Sequence, residues 1–271
     1  MEKRILNYTF QQKSQKDYNF RAEKHHTEEN RELHTIYIPS TKTTTFSAAP
    51  KSATSFIIPK LGNILDQGNL GSCVANAFAF SIRTKTKNSI IISRLCLYDI
   101  CRILDFTPLN DDAGTTVRTA STSIAKYGVV SETTFPYNVN LFKNLPPLSV
   151  FQNSKYLKKF TYTFISQDLV SLQGCLNSYK TPIVFGFLVY SSFITDQVAN
   201  NGIVPMPNLS TETLEGGHCM NIIGYNDNTK MFTCANSWGT AWGNKGLCYI
   251  PYNYILSTTL ASDFCLIQFI Y

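Results

Sequence analysis

The chain has 271 residues and a formal net charge of +6, with 44% hydrophobic, 13% aromatic and only 15% charged residues. Few charges and many aromatics favour collapse, which excludes a disordered, collagenous or coiled-coil chain. The charge is uneven: residues 1–60 hold ten Lys/Arg against six Asp/Glu, and the remainder fourteen against twelve, so the body is near neutral and carries no nucleic-acid footprint.

Residues 1–54 are polar and weakly periodic, and read as an N-terminal arm or pro-segment ahead of a body over 55–271. Stretches 40–45 and 47–52 have linker composition. No apolar run of secretory length follows Met1, so no signal peptide is expected. His25-His26 in the arm reads as two solvated side chains, and the Asn7-Tyr8-Thr9 sequon carries little weight without a signal. From residue 55 the pattern becomes helical: a Gly-rich loop leads into an Ala/Phe-rich run from Cys73, and apolar residues recur at helical spacing over 89–105 and 116–127. After about residue 157, short β-branched and aromatic runs alternate with turn residues, at 162–165, 183–190, 220–225, 231–235, 246–250 and 265–270, with Asn226-Asp227-Asn228 as a hairpin turn. Polar arm, helical half (about 55–157) and β half (about 158–271) predict an α+β protein of two lobes. No apolar run approaches the ~18 residues of a membrane span.

Three segments carry chemistry. In the first, Gln67-Gly68-Asn69-Leu70-Gly71-Ser72-Cys73, the thiol of Cys73 falls at a helix N-terminus, where free amides and the dipole favour a thiolate. Gln67 and the Cys73 amide are placed to donate to an oxyanion; the blander reading is a small buried cysteine. In the second, Gly216-Gly217-His218 opens an apolar strand with the sole histidine beyond residue 34, a base or simply a core histidine. In the third, 236–246, Asn236 is suited to orient an imidazole and Trp238 to shield that bond from water. The glycines there do not follow a phosphate-loop spacing. Eight cysteines without a C-x-x-C pair read as reduced thiols, and neither a metal site nor a cofactor is expected.

Together these segments resemble the active-site blocks of the papain-like cysteine peptidases. The family's Gln-Gly-x-x-Gly-Ser-Cys matches 67–73, its Gly-His strand matches Gly217-His218, and its Asn-Ser-Trp-Gly-x-x-Trp-Gly-x-x-Gly matches 236–246. His218 follows Cys73 by 145 residues, within the family's spacing of ~130–150. The details resemble a branch of bacteria and large DNA viruses more than the lysosomal cathepsins. Leu70 stands where lysosomal members have a disulfide-forming Cys, and Val74 where they have Trp.

The resemblance implies a two-lobed fold, with a helical left lobe carrying the nucleophile helix, a β-barrel-like right lobe and a cleft between them. It implies Cys73 as nucleophile, paired as thiolate with the imidazolium of His218, a thiol pKa of ~3–4, Asn236 as orienting residue and Gln67 as oxyanion donor. Gly114 and Gly217 would pair with an extended peptide or protein substrate. Gly71, Ser72 and Trp238 would border it, and Val204 and Met206 would line a side-chain pocket. The arm is expected to cover the cleft until cut within 41–52; neither nucleic acid nor a membrane is an expected partner. The implied place is the cytoplasm or, for a viral chain, host cytoplasm or virion. A silent peptide-binding relative and a thioester-based acyl transferase or ligase are the alternatives.

Overall fold

The computed structural model describes residues 5–9, 19–20, 54–152 and 160–269. The linker-like stretch 40–52, the cleavage zone within it and His25-His26 lie outside these residues. Helices α1 (Cys73–Lys85), α2 (Arg94–Leu104) and α3 (Val117–Tyr127) come first, followed by the short α4 (Leu148–Gln152). The second half holds strands β3 (Phe160–Ile165), β4 (Ile183–Tyr190), β5 (Leu214–Asn226), β6 (Met231–Ala235), β7 (Leu247–Pro251) and β8 (Ala261–Phe269). Helices α5 (Leu169–Tyr179), α6 (Asp196–Asn201) and α7 (Tyr252–Leu256) connect them. Two short strands from the first half, β1 (Asn19–Phe20) and β2 (Ser55–Ile57), join the sheet, whose order is β1-β3-β8-β4-β5-β6-β7 with β2 alongside β5.

The sequence explains the three helices of the first lobe differently. α1 is buried nearly all round, from Cys73 through Ile82, as befits a central helix wedged between lobes. α2 and α3 are amphipathic and capped: Ser93 Oγ accepts from the Cys96 amide, and Thr116 Oγ1 from the Thr119 amide. The cap at Ser93 makes α2 start five residues later than the periodicity over 89–105 predicts, because Ile92 instead bridges Ser131 in extended form. Gly128 at φ +83° ends α3.

One apolar core lies between the sheet and α5, built on β4, β5 and the two tryptophans. A second gathers α1, α2 and α3 and reaches across to Val184, Cys219 and Cys265 of the sheet. This is the two-lobed α+β arrangement read from the sequence, with α1 and β5 meeting where the cores adjoin. No helix among the described residues is long and apolar enough to cross a membrane.

Candidate active site

The loop before Cys73 is tied down at nearly every residue. Gln67 donates its amide to the Ser237 carbonyl at 2.9 Å, and its Oε1 accepts from Ser237 Oγ at 2.7 Å, leaving Nε2 to face the cleft and Leu70 O. Tyr137 donates its hydroxyl to Gln67 O at 2.8 Å and lies 2.5 Å from Ser72 Oγ. Its ring lies 3.9 Å beneath the Arg94 guanidinium, which pairs with Glu132 at 3.1 Å and donates to Asp66 O and Asn76 Oδ1. Gly71 donates its amide to the Asp112 carboxylate at 2.9 and 3.0 Å. Tyr98 donates to Asp112 Oδ1 at 2.5 Å and accepts from the Gly114 amide at 3.1 Å, so one tyrosine holds the loop that carries both Asp112 and Gly114.

Cys73 opens α1, and its thiol reaches the histidine strand through a backbone hydrogen bond at Cys219. His218 donates from Nε2 to Asn236 Oδ1 at 2.8 Å, which leaves Nδ1 as the nitrogen with a free lone pair. That Nδ1 is buried and has no hydrogen-bond partner among the described residues. The Trp238 ring covers the imidazole at 5.0 Å between centroids, and Phe187 meets it edge-on. Asn236 also accepts from the Ser237 amide at 2.7 Å, which holds its carbonyl toward the ring.

The electrostatics differ from the charged pair that the sequence predicts. Cys73 and His218 are both 0% exposed. Burial pushes the thiol up to about 12, only partly offset by backbone amides, and pushes the imidazole down to about 4 against the opposing bond from Asn236. Desolvation thus favours the neutral thiol and the neutral imidazole while the cleft is filled.

Residues 5–9 lie over the site. They run extended through the cleft between the lobes, with Asn7 bridging Gly217 and Tyr8 bridging Thr115, both in parallel sense. Tyr8 donates its amide to Gly217 O at 2.9 Å, and Asn7 donates its side-chain amide to Asp112 O. Ile5 O lies 3.4 Å from Gln67 Nε2, the nitrogen expected to serve an oxyanion. Glycine is required where this segment passes: a Cβ on Gly114, at φ +75°, would sit 1.6 Å from Asn7 O.

The structure brings Gln67, Cys73, His218 and Asn236 to one place, with Gly71, Gly114 and Gly217 lining the segment that fills the cleft. Ser72 faces Tyr137 and Trp238 faces His218. Val204 is buried in the β-lobe core, donating to Tyr249 O, while Met206 is 45% exposed; the groups around the buried Tyr8 ring are others, Gly186, Ser262 and Asp263. The sequence motifs assign no role to Asp112, Asp263, Tyr98, Arg94, Tyr137 or Ser237. A carboxylate followed by Gly114 at the same wall is the one signal that marks Asp112.

The fold and this site together define a papain-like cysteine peptidase. The model of the papain family of cysteine proteases matches residues 58–265, and the chain belongs to that family. It is 37% identical over 224 residues to an uncharacterized peptidase C1-like protein of Acanthamoeba polyphaga mimivirus, covering 78% of this chain and 71% of that one. Among solved structures it is similar to xylellain, a cysteine protease from Xylella fastidiosa, at 30% identity and a TM-score of 0.75, covering 87% of this chain and 96% of that one. The fold is also that of a trypanosomal procathepsin B from Trypanosoma congolense, at 18% identity and a TM-score of 0.60, covering 85% and 83% of the two chains.

Proposed function

We propose that the protein is a cysteine endopeptidase made as a zymogen, with the arm over 1–54 blocking a catalytic body over 55–271. Once the arm is displaced, water returns to the cleft and the proton of Cys73 passes to His218 Nδ1. The thiolate adds to the scissile carbonyl of a peptide or protein, and the oxyanion is received by Gln67 Nε2 and the Cys73 amide. Removing one such donor in other hydrolases costs roughly 3–4 kcal/mol. The imidazolium protonates the leaving amine as the C–N bond breaks, leaving a thioester. Water then attacks, His218 takes its proton, and the acid is released with the thiol restored. Asn236 holds the ring in register throughout, and Trp238 keeps water from their bond. The eight free cysteines suit a reducing compartment.

One observation supports the zymogen reading: Ile5 O lies 3.4 Å from Gln67 Nε2, which also donates to Leu70 O at 2.9 Å, so residues 5–9 pass over the nitrogen that would receive a substrate's oxyanion. The test is incubation of full-length protein and its Cys73→Ala variant, with peptidase assay and mass spectrometry of the N-terminus. Hydrolysis and arm removal by the first chain alone are expected. Equal hydrolysis by both chains overturns the assignment of Cys73. Full activity of the intact chain, with the arm still attached, overturns the inhibitory role. Transfer of the acyl group to an added amine, in place of hydrolysis, selects the ligase alternative.

A further inference from the structure

Strand β5 is buried from Gly217 to Tyr225. A strand buried on both faces favours apolar residues, yet Asn221 stands in its middle, 1% exposed, three residues after His218. A buried amide is costly unless its polar atoms are met. Asn221 Oδ1 meets no partner among the described residues. Side chains alternate along a strand, so Asn221 leaves β5 on the face opposite His218, the face that α1 covers. It therefore does not act on the imidazole directly.

A second unpartnered group lies close by. Asn236 Oδ1 accepts from His218 Nε2 and from the Ser237 amide, while its Nδ2 is buried with no partner among the described residues. On the paired strands Asn221 stands opposite Ala235, the chain neighbour of Asn236. Both asparagines line one small cavity behind the nucleophile, closed by Phe80 of α1 and by Leu65. Asn76 and Ser237 line it as well, but their polar groups are taken. Asn76 Nδ2 donates to Ser72 O at 3.0 Å, its Oδ1 accepts from Arg94 at 3.0 Å, and Ser237 Oγ donates to Gln67 Oε1 at 2.7 Å. The side chains around the cavity thus leave one buried acceptor, Asn221 Oδ1, and one buried donor, Asn236 Nδ2, to be met. An apolar cavity stays dry, but a cavity with such groups is where a buried water settles.

We propose that Asn221 is a positioning residue for the peptidase reaction, acting on Asn236 through one buried water. The water donates to Asn221 Oδ1 and accepts from Asn236 Nδ2, and so fixes the Asn236 amide at its far end. His218 and Ser237 fix the other end, which keeps the oxygen in register with the imidazole as the ring gains and loses its proton. With Nδ2 unheld, the amide is free to turn about its Cβ–Cγ bond. The inference rests on the peptidase reading above, and Asn221 touches neither substrate nor the reacting atoms.

The first test is a high-resolution crystal structure of the full-length Cys73→Ala chain. A water within hydrogen-bond distance of both amides is expected. A dry cavity, or a water bonded to one amide only, overturns the proposal whether or not the protein cleaves peptides. The second test is kinetic, with the activity of the full-length chain referred to titrated Cys73. Asn221→Leu keeps the shape and removes the acceptor, and is expected to lower kcat about tenfold with KM little changed. Asn221→Asp keeps an acceptor oxygen and is expected to recover most of that loss. In an Asn236→Ala background, Asn221→Leu is expected to change kcat by less than about twofold, because the group through which it acts is gone. No loss, or the same loss in both backgrounds, overturns the positioning role and leaves the peptidase reading intact. If the wild-type chain cleaves no peptide, that reading fails and the role falls with it.

Discussion

The amide of Gly71 points at the carboxylate of Asp112, 2.9 and 3.0 Å from its two oxygens, across the entrance of the cleft. Leu70, next to it, stands where a disulfide-forming Cys is expected in lysosomal relatives, and all eight cysteines are free. The nucleophile loop is thus fastened to the Gly114 wall by charge-assisted hydrogen bonds, with Tyr98 as the third member. A hydrogen bond to a charged group contributes about 1.5–3 kcal/mol. Asp112→Ala is expected to lower kcat/KM by about 10–100-fold, with Tyr98→Phe milder. Reducing agents are expected to leave the fastening intact. Steady-state kinetics with active-site titration of Cys73 checks this, and a variant equal to wild type would remove Asp112 from the positioning machinery.

In the Cys73→Ala chain, which lacks the thiol proton, acid is expected to loosen the arm. With residues 5–9 in place, burial lowers His218 from 6.5 to about 4. Once the cleft is open to water the ring returns to its ordinary range or above. Between pH 6.5 and about 4 the open form therefore binds a proton that the closed form refuses. The closed form's advantage is whole above that window and is lost as pH falls through it, by up to about tenfold per pH unit. In the native chain the proton that the imidazole gains on opening comes from Cys73, whose thiol burial holds at about 12 in the closed form, so the uptake of a proton from solvent belongs to the chain without the thiol. Hydrogen exchange of the arm in the Cys73→Ala chain, corrected for intrinsic rates, should show protection falling below pH 6.5 and flat from 7 to 8. Protection that rises on acidification would refute it.

The two lobes and the four central residues were legible because each rests on local sequence: the all-apolar face of α1, the alternating strands, and short motifs around Cys73, His218 and Asn236. The two rings and the carboxylates that set the site were not. Tyr98 and Asp112 are 14 residues apart and meet only when the loop after α2 folds back along that helix; Tyr8 and Asp263 are 255 apart. The start of α2 is not legible in the periodicity, because a capping serine outweighs an apolar spacing that continues upstream of it. The burial of the Cys–His pair is hidden from the sequence for a different reason. Pair chemistry is written in the motif, but desolvation depends on what covers it, and the cover comes from the other end of the chain.

Ser237 and Gln67 should separate in kinetics. Gln67→Ala removes the oxyanion donor itself and is expected to cut kcat by about 10²–10³-fold. Ser237→Ala removes the 2.7 Å bond that turns the Gln67 amide, so the donor survives but is misaimed. Its loss is expected to be nearer tenfold, in kcat with KM little changed, and Ser237→Thr should restore most of it. Equal losses for Gln67→Ala and Ser237→Ala would mean that the amide works only when clamped.

Arg102 is expected to be the most costly single truncation outside the site. Its guanidinium is wholly buried, pairs with Asp99 at 2.7 Å and donates to Leu109 O and Asp111 O, which ties α2 to the loop that presents Asp112. Burial already raises the Asp99 carboxyl to about 7, with Arg102 opposing the rise. Arg102→Met leaves that carboxylate unpaired, a loss of about 3–5 kcal/mol for breaking a buried pair. Without its partner Asp99 rises further, so the variant folds best with the carboxyl protonated. Its stability is retained at low pH and lost as pH rises through the folded value. The deficit in Tm against wild type should therefore be larger at pH 8 than at pH 5. Replacing both residues, in Asp99→Leu with Arg102→Met, should recover part of it, because no buried charge is then left unpaired. Thermal unfolding at the two pH values checks both statements, and a deficit that shrinks toward pH 8 would show that Asp99 is not the charge at issue.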